Sequence, residues 1–365
     1  MRQRPSPYHF VIAIRPCRTT AQQLSYQNSE IRTGKGGGYR TSPYQRQNMH
    51  GMIKLFSGSG CPELAKEISD YLGIPLSGRD LIRFPNENIF VRLHESVRGQ
   101  DVFLIQTTSS PVNENIMELL VFLDALRRAS PDRITAVIPY LAYARSDKKD
   151  QPRVPITARL IADMISIAGA GRYITLDLHA DQIQGFFSIP GDALTTFSIL
   201  SDYLREKRLE SAVVVSADLG FAKKARNFAE ELELPLAIVE KRRVARDTEA
   251  LTLVGDVAGK DAIIVDDEVN TAGSIVNAVR IVRENGARDI YLCFAHAILA
   301  PPAVERLREL NVKEIITTNS IPIPPEKRLP NMKILSVAPL LGEVILRVHE
   351  GRSVGEVFRR YHRYR

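Results

Sequence analysis

From residue 52 onward, short apolar runs alternate with segments whose apolar residues recur every three or four positions. Met52-Ile53-Lys54-Leu55-Phe56 predicts the first strand, and 62–72 predicts a helix with Pro62 at its start. The spacing then predicts a helix over 115–128 and a strand over 134–138, a helix over 157–168 and a strand over 173–177. Helices at 197–208 and 222–232 alternate with strands at 212–216 and 236–239. The run Ala262-Ile263-Ile264-Val265 ends on Asp266-Asp267, and the small-residue loop Asn270-Thr271-Ala272-Gly273-Ser274 follows. An amphipathic helix over 275–283 and a strand over 289–294 come next. Unbroken apolar strands between helices imply mainly parallel sheets covered on both faces. The pattern is too long for one comfortable sheet. The expected fold class is therefore α/β, with two tandem doubly wound lobes at 52–196 and 197–365. No short-period repeat is present.

Composition narrows the partners. The chain is 44% hydrophobic and 25% charged, ordinary values for a globular protein. Its net charge of +7 invites a nucleic-acid reading, but the charge is unevenly placed. Residues 1–51 carry eight basic side chains against Glu30 alone, which leaves 41 basic and 41 acidic residues in the remainder. The body is thus neutral and has no bulk electrostatic case for DNA or RNA. Residues 1–51, rich in Arg, Gln, Ser, Pro and Gly, read as a disordered basic tail. Met49 or Met52 would be a natural start, so an over-extended start is one reading. An organelle transit peptide and a nucleic-acid-binding arm are the others. Cys17, Cys61 and Cys293 have no ligand-like spacing, and a reducing, cytoplasmic location is expected. No apolar run approaches the ~20 residues of a membrane span.

The acid pair and the loop after it are the most informative chemistry. The carboxyl end of a parallel strand is where open α/β sheets bind ligands. Two adjacent carboxylates there can accept hydrogen bonds from vicinal sugar hydroxyls. Successive amides and a helix N-terminus can converge on a phosphate. Gly273 permits close approach, and Thr271 and Ser274 add hydroxyl donors. The bland alternative is a buried strand turning into a helix, with acids placed for the helix dipole. His179 and Asp181 follow another strand, and Asp218 a third, in Ser216-Ala217-Asp218-Leu219-Gly220. An imidazole and scattered carboxylates can hold Mg²⁺ when phosphate oxygens complete the shell; a lone His is otherwise more often structural. Lys241-Arg242-Arg243 is either a solvated basic face or a set of cations aimed into a cleft.

With these residues in view, the stretch from Ile263 to Ser274 resembles the sugar-phosphate loop of phosphoribosyltransferases and ribose-phosphate pyrophosphokinases. Four further stretches are similar to the second group alone. They are Arg145-Ser146-Asp147-Lys148-Lys149, 153–159, 177–187 from Asp177-Leu178-His179 to Phe186-Phe187, and Glu240-Lys241-Arg242-Arg243. The resemblance runs from about residue 52 to the C-terminus. It implies two phosphoribosyltransferase-like lobes, the first without a sugar-phosphate loop of its own. It implies transfer of the diphosphoryl group of MgATP to C1 of ribose 5-phosphate, giving AMP and 5-phosphoribosyl 1-pyrophosphate. By the same resemblance, Lys241 is the catalytic lysine and Arg243 a ribose-phosphate contact. The segment 244–249 becomes a closing loop, and His179 and Asp218 become magnesium ligands. Asp266, Asp267, Asn270, Thr271, Ala272, Gly273 and Ser274 bind ribose 5-phosphate. Phe84, Asn86, Glu87 and Asn88 meet adenine, with Arg145 and Ser146 on the ATP side. Because adenine contacts of this kind come partly from a neighbouring subunit, a homo-oligomer is implied, a hexamer in the family.

Several positions depart from the family pattern. Asn88 stands for Glu, Ser146 for Gln, and Asn270 for Asp. Phe221 follows Gly220 where the family has another Gly, and Ala295-His296-Ala297 replaces a Thr-His-Gly-like stretch. Asn lacks the charge of Asp and cannot act as a base, and Phe at a Gly position is expected to crowd a phosphate surface. These departures motivate the alternative of a weak or inactive paralogue that regulates an active synthetase.

Overall fold

The computed structural model describes residues 50–357 other than 246–247, and for residues 241–251 the backbone alone. The expected disorder of the basic tail falls on residues outside the described ones, apart from His50 and Gly51.

The first sheet grows from the expected opening strand. Ile53–Ser57 (β1) leads into Pro62–Leu72 (α1), whose proline occupies a first-turn position where no amide partner is missing. A two-stranded hairpin follows, Arg79–Arg83 (β2) with Ile89–Leu93 (β3). Its mixed polar and apolar pattern hides it in the sequence. Then come Asp101–Ile105 (β4), Val112–Arg128 (α2), Arg133–Ile138 (β5), Thr157–Ala168 (α3), Arg172–Leu176 (β6) and Gly191–Leu194 (β7). The strand order is β1-β4-β5-β6-β7, parallel throughout.

Phe197–Glu206 (α4) opens the second half. Ala212–Ser216 (β8), Ala222–Leu232 (α5), Leu236–Ala245 (β9), Thr248–Val254 (β10), Asp261–Val269 (β11), Gly273–Glu284 (α6), Ile290–Ala297 (β12), Ala303–Glu309 (α7), Glu314–Thr318 (β13) and Met332–Leu335 (β14) follow. The sheet runs β10-β9-β8-β11-β12-β13-β14, with only β10 antiparallel to its neighbour.

Alternating side chains of each sheet feed two separate cores, as strands buried on both faces must. In the first sheet, Val102, Leu104, Ala136 and Ile138 pack with α2 and α3, while Phe103, Ile105, Val137 and Ile174 face α1. In the second, Val213, Val215, Ile264 and Leu292 pack with α6 and α7, while Val214, Ile263 and Cys293 face α4 and α5. Each fully buried aliphatic side chain contributes roughly 1.5–3 kcal/mol.

The last helix, Ala338–His349 (α8), leaves the second sheet and packs on α1 over the first. Gly342 makes this approach possible, because a Cβ there would lie 2.4 Å from Cδ1 of Tyr71. At the far end, His349 Nδ1 lies 2.8 Å from Oδ2 of buried Asp101, which also accepts from Arg133 Nε at 2.9 Å. Among the described residues no helix is long and apolar enough to cross a membrane.

Candidate functional site

β11 does not stop at the acid pair. It continues through Asp266, Asp267 and Glu268 to Val269, because β12 accompanies it as far as Ala297. Asp266 lies opposite Phe294, and Glu268 opposite His296. Side chains along a strand alternate between faces, so the two adjacent acids part company. Asp266 and Glu268 line an open cleft of about 300 Å³, together with Arg145 and the turn from Asn270 to Ser274. Asp267 points elsewhere, with its Oδ2 2.7 Å from Nδ1 of His179. The expectation of two equivalent carboxylates at a strand end is thus replaced by two carboxylates with different partners.

The turn that follows lines the cleft from Asn270 to Ser274. Ala272 takes the left-handed conformation, φ 61°, and precedes the first turn of α6. Among the described residues no side chain caps that helix, and Gly273, Ser274 and Ile275 of its first turn line the cleft. Arg306 Nη1 donates to the Thr271 carbonyl at 2.9 Å, and the Ala300 amide donates to the Asn270 carbonyl at 3.0 Å. Both bonds brace the turn from outside while its inner face stays open.

His179 reaches the same region from the first sheet. β6 ends beside Asp177, whose φ is 38° and whose carboxylate accepts from Thr195 Oγ1 at 2.9 Å and from the Thr196 amide at 2.9 Å. Lys224 of α5 donates to the Leu178 carbonyl at 2.5 Å, tying the His179 segment to the second half of the chain. Asp218 follows β8, and its Oδ1 accepts the Phe221 amide at 2.9 Å.

Charge is concentrated here. Burial, then repulsion from Asp267 and Asp218, holds the Asp266 carboxyl well above the usual carboxylate range. Burial pushes Asp267 the same way, but the hydrogen bond and charge of His179, aided by Lys224, bring it below its ordinary value. The Asp267 hydrogen bond raises His179, against burial. Crowded carboxylates of this kind fit a divalent cation. Among the described residues no three His, Cys, Asp or Glu side chains form a complete cage. His179 and Asp218 are donors of the kind that Mg²⁺ takes when phosphate and water supply the rest of its shell.

The other expected residues are placed as follows. Arg145 lines the cleft with its Nε against Glu268 Oε1. Ser146 turns to Thr157, Oγ to Oγ1 at 3.4 Å, and is not part of the lining. Phe84, Asn86, Glu87 and Asn88 form the tip of the β2–β3 hairpin, where the Phe84 amide donates to the Asn88 carbonyl at 2.9 Å. Glu87 is left-handed there, φ 68°, and Phe84 is 45% exposed. The hairpin tip contributes nothing to the cleft lining.

The backbone of Lys241 and Arg243 lies within β9, opposite Leu251 and Glu249 of β10; their side chains lie outside the described residues. The 244–249 segment, expected as a loop, belongs to this hairpin apart from the undescribed 246–247. Phe221 does not crowd the turn after Gly220. Its ring is 6% exposed and packs edge-on to Phe197 at 6.1 Å, in the core under α4 and α5.

Sequence reasoning missed Glu268, Tyr140, Lys224 and Arg306. Glu268 alone left a trace, as a third acid directly after Asp266-Asp267. The others act through contacts with residues remote in the chain.

The family model for the N-terminal domain of ribose phosphate pyrophosphokinase matches residues 53–169. The phosphoribosyl synthetase-associated domain matches residues 241–359. The ribose-phosphate pyrophosphokinase of Caldanaerobacter subterraneus is 50% identical over 308 residues, covering 84% of this chain and 98% of that protein. That of Bacillus subtilis is 48% identical over 307 residues, covering 84% and 97%. The crystal structure of phosphoribosylpyrophosphate synthetase from Mycobacterium smegmatis superposes with a TM-score of 0.79 at 42% identity, covering 82% of this chain and 99% of that one.

Proposed function

The chain belongs to the ribose-phosphate pyrophosphokinase family, and on that premise we propose how its cleft moves the diphosphoryl group of MgATP to the C1 hydroxyl of ribose 5-phosphate. The 5-phosphate sits on the turn Asn270, Thr271, Ala272, Gly273 and Ser274, where amides and hydroxyls of an uncapped helix face outward. Asp266 accepts hydrogen bonds from the ribose hydroxyls, and Asp267 acts from behind by orienting His179. Arg145, with Ser146 beside it, holds the ATP phosphates across the cleft. The C1 hydroxyl oxygen attacks the β-phosphorus and its proton passes to solvent, the bond from that phosphorus to the α-phosphate oxygen breaks, and AMP departs.

His179 and Asp218 would hold Mg²⁺, which would supply neutralisation of charge on the transferred group. Lys241 and Arg243 supply cations to the equatorial oxygens of the transition state, where fixed charges lower the barrier most. The β9–β10 hairpin that carries them is the element that shields the reaction from water. Phe84, Asn86, Glu87 and Asn88 meet the adenine of a neighbouring copy, which calls for a homo-oligomer. Lobe boundaries at 196/197 follow the passage from β7 to α4, with a basic segment at 1–51 ahead of them. The buried free thiols Cys61 and Cys293 support a reducing, cytoplasmic setting.

One observation carries this reading: an uncapped anion turn and an arginine from the other sheet line the same cleft. The test is purified chain with MgATP and ribose 5-phosphate, followed by ³¹P NMR. AMP and 5-phosphoribosyl 1-pyrophosphate should appear in equal amounts, dependent on both substrates. ADP as the nucleotide product, or turnover independent of the sugar, would sink the proposal.

A further inference from the structure

Glu268 is the one acid in the cleft wall without a role in the reaction as described. Its side chain is only 5% exposed. A carboxylate so buried is tolerated when each oxygen has a partner. Oε1 pairs with Arg145 Nε, and Oε2 accepts from the Tyr140 hydroxyl at 3.2 Å. The shortest contact of the Arg145 guanidinium with the acid is at Nε. A guanidinium is planar and rigid, so fixing one edge aims the other.

The support continues behind Tyr140. Its ring meets that of buried His296 edge-on, 5.0 Å between centroids. His296 Nε2 faces two carbonyl oxygens, Leu176 at 3.2 Å and Asp177 at 3.3 Å. Carbonyls only accept, which assigns the proton to Nε2 and leaves Nδ1 to accept from Ser320 Oγ at 2.8 Å. Glu268 and His296 are register partners on β11 and β12 of the second sheet, whereas Tyr140 and Arg145 follow β5 of the first.

We infer that Glu268 is a positioning residue: from the second sheet it grips the Nε edge of Arg145 and presents the two terminal amino groups to the ATP phosphates, braced by Tyr140 and His296. The consequence is registration. A cation carried by one sheet is fixed relative to a sugar-phosphate turn carried by the other, which is what an in-line transfer between their ligands demands. This inference rests on the reading of Arg145 as an ATP-phosphate ligand.

Steady-state kinetics of the full chain test it, with folding of every variant checked by circular dichroism. Glu268→Met fills the volume without an acceptor and should raise KM for ATP about tenfold, with kcat and KM for ribose 5-phosphate within about threefold. Glu268→Gln keeps an acceptor for Nε and should recover part of the loss. In an Arg145→Ala background, Glu268→Met should change KM for ATP no further, because the acid acts only through the arginine.

A fall in KM for ATP on Glu268→Met would mean that the acid competes with phosphate, and would overturn the inference. So would equal damage to both KM values and kcat, the mark of a merely structural group. If Arg145→Ala alone leaves KM for ATP unchanged, the reading of Arg145 is what fails, and the inference falls with its premise.

Discussion

Two strand–turn–helix units sit at the carboxyl edges of the two sheets, and only one is open. In the first, Ser57-Gly58-Ser59-Gly60 joins β1 to α1. The Ser59 amide donates to Glu118 Oε1 at 2.6 Å, the Ser59 hydroxyl donates to Oε2 at 2.5 Å, and the Gly60 amide donates to Gln106 Oε1 at 2.8 Å. Gln106 Nε2 in turn donates to Glu118 at 3.1 Å, and Glu118 is fully buried. A Cβ on Gly58 would lie 2.2 Å from Gln106 Oε1, so the plug needs a glycine there. In the second unit, residues Asn270 to Ser274 line an open cleft, and neither α1 nor α6 has a capping side chain among the described residues. Topology alone therefore does not make an anion site. An internal carboxylate fills the first turn, whereas the second lines an open cleft.

The strongest way to break this comparison is to plug the open turn. Gly273→Asp introduces a carboxylate at the helix start, and its Cβ meets nothing nearer than Arg306 Nη1 at 3.7 Å. An acid in the first helical turn suits the dipole, so thermal stability should hold. KM for ribose 5-phosphate should rise on the order of 100-fold, as loss of a charge-assisted anion site worth about 3 kcal/mol implies. An unchanged KM would place the sugar phosphate elsewhere.

The converse is to unplug the closed turn. Glu118→Ala removes the acceptor of the exposed Ser59 amide and hydroxyl and leaves buried Gln106 Nε2 with only the Asn115 carbonyl at 3.3 Å, and should cost about 1–3 kcal/mol of stability in urea unfolding. Activity per folded molecule should be unaffected, because Glu118 lies outside the cleft. A stability change below about 0.5 kcal/mol would show that the plug is incidental.

A milder change sharpens the electrostatics of the open turn. Asn270→Asp adds an acid to a cleft already lined by Asp266 and Glu268. At the effective dielectric of a partly exposed site, about 1 kcal/mol of repulsion toward the sugar phosphate is expected. That corresponds to a KM for ribose 5-phosphate raised about fivefold. The increase should shrink with added magnesium; a lower KM would mean that the acid is neutralised in place.

The smallest expected effect is none at all. Cys61 occupies the N-cap position of α1 at the closed turn, where a helix N-terminus would ordinarily lower a thiol pKa. Burial instead pushes it up to about 12. At pH 8 its thiolate share is then on the order of 10⁻⁴, so iodoacetamide should label it only after unfolding. Buried Cys293 should behave alike. Peptide mapping that finds rapid native-state labelling of Cys61 would mean that the first turn is not closed.

The helices over Pro62–Leu72, Thr157–Ala168 and Ala222–Leu232 are legible to the residue, because the apolar period and the local breakers, such as Gly73 and Gly169, agree at their ends. The hairpin of β2 and β3 was not, because Arg79-Asp80-Leu81-Ile82-Arg83 is half-exposed on both faces and carries no clear period. The open turn was visible in the order of its residue types, from the acids to Ser274. The split between Asp266 and Asp267 was not, because it depends on how far β12 runs beside β11.

By itself, then, the sequence determined the central strands and the helices that follow them, that the sheets are mainly parallel and covered on both faces, and where the small-residue turn after the acid pair lies. Those properties follow from local periodicity and from residues adjacent in the chain. Only the tertiary structure decided that α8 returns to the first sheet, that Phe221 turns into the core, that Glu118 closes one turn, and that Glu268 holds Arg145 beside the other. Hydrophobic periodicity encodes that a side chain is buried, but not against what. The pairing of Glu268 with Arg145 brings together residues from two sheets, and nothing within either local segment names the other.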